Sequence, residues 1–186
     1  MRPLVVFFIL LFLFVPLSRT LALEIQKVDL GAEGGYLVCS WELGDVPYQK
    51  LDESLHHGLP FELRFHLILT QIRRFRGDKT ILRHEVVREI YYDAVKNLYY
   101  VHFVGWPYPP RHVPSLEEAI ALAGNVKALP LIPLNRLERG KTYRLKVKAQ
   151  IIQKVNPGLP SRVLRFLFRG GKIDSGWVSI RFKLPE

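Results

Sequence analysis

Three histidines, His66, His84 and His102, fall on three successive stretches that read as strands. Imidazoles aligned across a sheet could hold zinc and leave a coordination position open for water. Sequence alone leaves the register open, and a slip of one residue moves a side chain to the opposite face. The three are therefore metal candidates only if they converge, and no cofactor is expected from the pattern itself. The carboxylates suggest less. Glu85 and Glu89 share a strand parity but alternate with Arg83 and Arg88, and Glu118 stands where it would cap a helix. Acid–base catalysis needs two carboxyls whose surroundings set their pKa values apart. No GxSxG elbow occurs, and "RGGKIDSG" lacks the GxxxxGK spacing of a phosphate loop. His56-His57 end a helical pattern beside Gly58, where cationic side chains are favoured without any catalytic task.

With no catalytic signature, the remaining candidates are surfaces. "KTYRLKVKAQIIQKV", residues 141–155, places Tyr143, Leu145, Val147, Ala149 and Ile151 on one parity and Arg144, Lys146 and Lys148 on the other. Arg181 and Lys183 would extend that charged face if the last strand pairs beside it. Arg73, Arg74 and Arg76 crowd one turn. "SRVLRFLFRGGK" mixes Arg165 with Phe166 and similar neighbours, a composition suited to a membrane interface or to a lid over the core. Trp106 and Tyr108 in "GWPYPP" could stack on a sugar or dock a peptide.

The elements that position these residues follow from periodicity. Period-two stretches at about 60–75, 141–155 and 177–185 read as strands, as do 24–30 and 35–43 across a glycine-rich hairpin spacing, 98–104, and 80–92, whose parity is less clear. Tyr48, Leu51 and Leu55 give a short amphipathic helix at about 46–57. Ser115 with Glu118 opens a second helix, which ends at Gly124-Asn125. The prolines of "GWPYPPRHVPS" argue against regular structure there, and "ALPLIPLNRL" reads as an apolar loop. The expected fold is mainly β: an antiparallel β-sandwich, immunoglobulin-like or a flattened barrel, of about seven to eight strands with two short helical insertions.

Residues 1–22 begin with a charged start, run through "PLVVFFILLFLFVPL" and end on small residues, the pattern of a secretory signal peptide. Its apolar run is short for a spanning helix, although an uncleaved anchor is the other reading. Residues 23–186 then form a single domain. Removing Arg2 and Arg19 lowers the net charge from +10 to +8. In an exported protein that balance points to anionic lipid, envelope polymer or an acidic partner rather than to nucleic acid. It also serves solubility, so water is the other reading for the charged face. Cys39 is the single cysteine, lies on the parity of Leu37 and Trp41, and reads as a buried hydrophobe.

The order of pieces resembles a known family. "YYDAVKNLYYV", "SLEEAIALAGNVKALPLIPLNRLERGKTYRLKVKA" and "DSGW", behind a signal peptide, resemble the bacterial exported proteins catalogued as domain of unknown function 4390. The most specific parts are Ser115–Ala119, Leu129-Pro130-Leu131, the strand from Gly140 to Ala149, and Ser175 with Trp177. "LRFLFRGGK" is more basic than the family pattern. The resemblance implies export and a uniform architecture, and a gene often near that of a membrane sensor kinase, which suggests a periplasmic accessory or ligand-sensing role, but no reaction. The expected function is a non-enzymatic binding or accessory module in the periplasm or cell envelope. Its partner would be a protein or an anionic envelope component, with peripheral membrane contact. Two alternatives stay open: an envelope hydrolase with an unrecognised metal or carboxylate site, and a membrane-tethered structural subunit.

Overall fold

A computed structural model describes residues 23–154 and 172–185. The signal peptide expected at 1–22 and the candidates Arg165 and Phe166 lie outside these residues. Ten strands and two α-helices follow in order: β1 (Glu24–Glu33), β2 (Tyr36–Gly44), α1 (Tyr48–His56), β3 (Phe61–Gln71), β4 (Lys79–Asp93), β5 (Leu98–Phe103), β6 (Arg111–Val113), α2 (Leu116–Gly124), β7 (Val126–Pro133), β8 (Thr142–Gln153), β9 (Lys172–Asp174) and β10 (Val178–Lys183). One sheet has the order β1-β2-β7. The other runs β10-β8-β3-β4-β5-β6, with β9 beside β8, and every pairing is antiparallel. The small sheet and both helices cover one face of the large sheet. The fold is a β-sandwich with no closed barrel.

Alternation in β3 and β8 builds the seam. Phe61, Leu63, Phe65, Leu67 and Leu69 are buried beside Tyr143, Leu145, Val147, Ala149 and Ile151, and Trp41 of β2 lies across them with its ring 5.0 Å from that of Phe65. Cys39 is also fully buried, and desolvation pushes its thiol up to about 12, so it stays protonated. Gly34-Gly35 closes the β1–β2 hairpin with both residues at positive φ, the two-residue turn that matches strand twist. Ser115 Oγ accepts the Glu118 N–H at 3.2 Å, the cap expected for α2.

Three strands depart from the sequence reading, and all are edge strands. "ALPLIPLNRL" is not a loop: its first residues belong to β7, which pairs with β2 through Val38–Pro130 and Tyr36–Pro133. Proline lacks a donor, so it is excluded from sheet centres but tolerated at an edge. Where β7 shifts register, the Ala128 N–H is taken by Ser40 Oγ at 2.9 Å. The proline-rich stretch likewise contains β6, held on β5 between Pro110 and Pro114. The third, β9, continues the line of β10 along β8.

Candidate binding face

The outer face of the large sheet is covered by no other element among the described residues, and register fixes what it presents. His66 lies opposite Glu85 on one side and Lys148 on the other; Ile68 lies between Arg83 and Lys146; Thr70 pairs with Arg144, and Arg144 with Arg181. Lys183 faces Thr142 on the same side. The last strand therefore does extend the charged line of Arg144, Lys146 and Lys148.

That line is not uniform. Toward the Phe61 end of β3, cations and carboxylates interlock. Arg64 binds Glu62 and stands 3.5 Å from Glu85, while Lys154 reaches Glu89 at 2.8 Å and Glu62 at 3.4 Å. Lys148 contacts Asp174 at 2.5 Å, and Gln150 links His66 to the same carboxylate. Burial alone would raise the Glu62 carboxyl, but hydrogen bonds and charge from Arg64 and Lys154 outweigh it and hold it below the ordinary range. Asp174 is likewise held low, because Lys148, the Gly176 N–H and Gln150 outweigh its desolvation. A depressed folded-state pKa adds stability above the ordinary carboxylate value and loses it as pH falls through the depressed one. The urea midpoint is thus expected to hold from neutrality to roughly pH 5 and to fall below roughly pH 4. Glu62→Gln and Asp174→Asn together should flatten that acid limb.

Toward the Gln71 end, carboxylates give way to cations. Arg83, Lys146 and Arg181 make no ion pair among the described residues, and Arg144 meets Asp78 of the β3–β4 turn at 3.4 Å. Between the two zones lies a shallow groove of about 540 Å³, bordered by His66, Ile68, Arg83, Lys148, Gln150 and Trp177. Ser175 keeps the β9–β10 edge attached while the chain turns. Its N–H donates to the Ala149 carbonyl at 3.0 Å, and its Oγ accepts the Ala149 N–H at 2.9 Å. Gly176 at positive φ then turns the half-exposed Trp177 outward, its ring 5.7 Å from Lys148 Nζ.

The histidines do not converge. His66 and His102 lie on the outer face, paired with Glu85 and Glu89, which are four residues apart on β4. His84 sits opposite Leu67 and so belongs to the other face. The zinc arrangement fails on register. Trp106 and Tyr108 are exposed at the loop after β5, 6.4 Å apart edge to face. His56 and His57 each place Nδ1 on a carbonyl one turn back in α1, at 2.9 and 2.6 Å.

Two features escaped the sequence reading. Arg88 faces inward on β4: it is 5% exposed, stacked over Phe103 at 4.5 Å, and its Nε has no hydrogen-bond partner among the described residues. Its parity with Val86 and Ile90 was the available signal. The second is a pairing of α1 with β5. The Tyr99 hydroxyl donates to Asp52 Oδ1 at 2.5 Å beside a cavity of about 400 Å³ that Glu117 also lines. Burial, and then Asp52, raises the Tyr99 hydroxyl well above its ordinary value, so it holds its proton at neutrality. No periodicity links residues 47 apart.

Comparison with known proteins gives one result: a family model described as Domain of unknown function (DUF4390) matches residues 21–181. No curated protein matches the chain. No solved structure matches it either.

Proposed function

The chain belongs to the DUF4390 family, and for it we propose the role of an exported, non-enzymatic binding module that docks on an anionic surface of the cell envelope. The docking surface is the cationic end of the large sheet's outer face. One observation carries this reading: charge on that face is segregated, with carboxylates answered by cations at one end and Arg83, Lys146 and Arg181 without an ion pair among the described residues at the other. A cationic face serving solubility alone needs no such sorting, because interspersed charge of both signs does that as well. A predominantly cationic zone on a sheet face that no element covers among the described residues instead creates a field that steers anionic partners toward it. The basic balance of the whole chain supports the same partner chemistry.

The test is crosslinking in cells followed by recovery from the envelope fraction. Wild type is compared with the Arg83→Gln, Lys146→Gln, Arg181→Gln variant. We expect the variant to lose most of the wild-type adducts and to shift into the soluble exported fraction. Recovery of the same adducts in the same amounts would remove this face from the function.

A further inference from the structure

We propose that the turn between β3 and β4 is a bilayer-inserting tip, with Phe75 entering the headgroup region of an anionic membrane and Arg74 and Arg76 pairing with lipid phosphates. This rests on the docking face described above and names its occupant. Phe75 is 95% exposed at the apex of the turn, in the sequence Arg73-Arg74-Phe75-Arg76. Exposure of one apolar residue on a hairpin is ordinary by itself. Val95, at the tip of the β4–β5 hairpin, is 96% exposed, but its flanking charges, Asp93 and Lys96, pair with each other at 3.8 Å. Phe75 differs in size and in its neighbours.

The turn is also braced. The Ile72 N–H donates to the Thr142 carbonyl at 2.9 Å, and the Arg73 N–H to Asp78 Oδ1 at 3.4 Å. The Arg73 guanidinium turns back onto Gln71 Oε1, while the other Asp78 oxygen holds Arg144. Arg73 and Asp78 are thereby committed to the turn itself. Arg74, Phe75 and Arg76 are left exposed together, at the same end of the sheet as Arg144 and Arg181. An aromatic apex between two arginines, next to the cationic end of the sheet face, suits a target with charge outside and hydrocarbon beneath. An acidic protein would answer the arginines, but it would need an apolar pocket set between its carboxylates to take the protruding ring.

The test is direct because Cys39 is buried and protonated, so a new surface cysteine is labelled selectively. Gly77→Cys places an environment-sensitive fluorophore beside Phe75 at a position with open space around it. The chain from residue 23 onward is mixed with vesicles of phosphatidylcholine, with or without phosphatidylglycerol. Blue-shifted emission is expected on the anionic vesicles alone. Phe75→Ala should weaken association roughly 10-fold with no change in thermal midpoint. Association without a blue shift, or equal binding by Phe75→Ala, overturns tip insertion and leaves the docking face intact. So does failure to bind anionic vesicles while the face still crosslinks to an envelope protein. If the Arg83, Lys146, Arg181 variant binds vesicles as wild type does, the docking face itself is refuted.

Discussion

Replacing Phe65 with alanine is expected to cost about 3–5 kcal/mol of stability. The ring is fully buried at the middle of β3, between β4 and β8, with Trp41 5.0 Å away across the two sheets. Truncation removes the apolar surface and leaves a void that neighbours on three strands can close only in part. Against a typical total of about 5–15 kcal/mol, this takes a large share of the fold's stability. Thermal unfolding should show a drop on the order of 10 °C in midpoint with cooperativity kept. Phe75→Ala, which removes the same side chain at an exposed position, should leave the midpoint unchanged. Equal losses at the two sites would contradict the assignment of core and tip.

The second large effect is on association. Reversing charge at Arg83, Lys146 and Arg181 with glutamate is expected to abolish measurable binding to phosphatidylglycerol-containing vesicles. A cation near an anionic bilayer contributes about 1 kcal/mol, so removing three weakens binding on the order of 100-fold, and reversal adds repulsion. These residues make no ion pair among the described residues, so stability should stay nearly constant. Vesicle sedimentation measures the first and thermal unfolding the second. A variant that binds as well as wild type would show that the charged end meets only water.

The two outcomes also separate what was legible in the sequence from what was not. The seam was legible, because β3 and β8 alternate without interruption and one register buries five residues from each. The capped helix at Ser115 was legible for a local reason, since a hydroxyl three residues ahead of Glu118 needs no tertiary information. Strands β6 and β7 were not. Proline argues against a strand on local grounds, and only the tertiary fact that both are edges lifts the objection. The charged face was half legible. Its residues could be named, but its sorting depends on Asp174 reaching Lys148 across 26 positions and on Asp78 reaching Arg144 across 66. A parity count gives three equivalent cations, Arg144, Lys146 and Lys148; the structure leaves Lys146 as the one without an ion pair among the described residues. Phe75 carries no signal in the sequence, because a turn has no period to read. The candidate histidines show the converse: their types were visible and their faces were not.

The central claim is that the cationic end of the outer sheet face is the docking surface. The measurement that tests it most directly is the salt dependence of vesicle binding for wild type and for the Arg83→Gln, Lys146→Gln, Arg181→Gln variant. Charge-driven docking is screened by salt, over a length of about 10 Å at 0.1 M ionic strength. The wild-type affinity should therefore fall steeply as salt rises, while the variant starts weaker and changes little. Parallel curves of equal slope and strength for the two proteins would contradict the account.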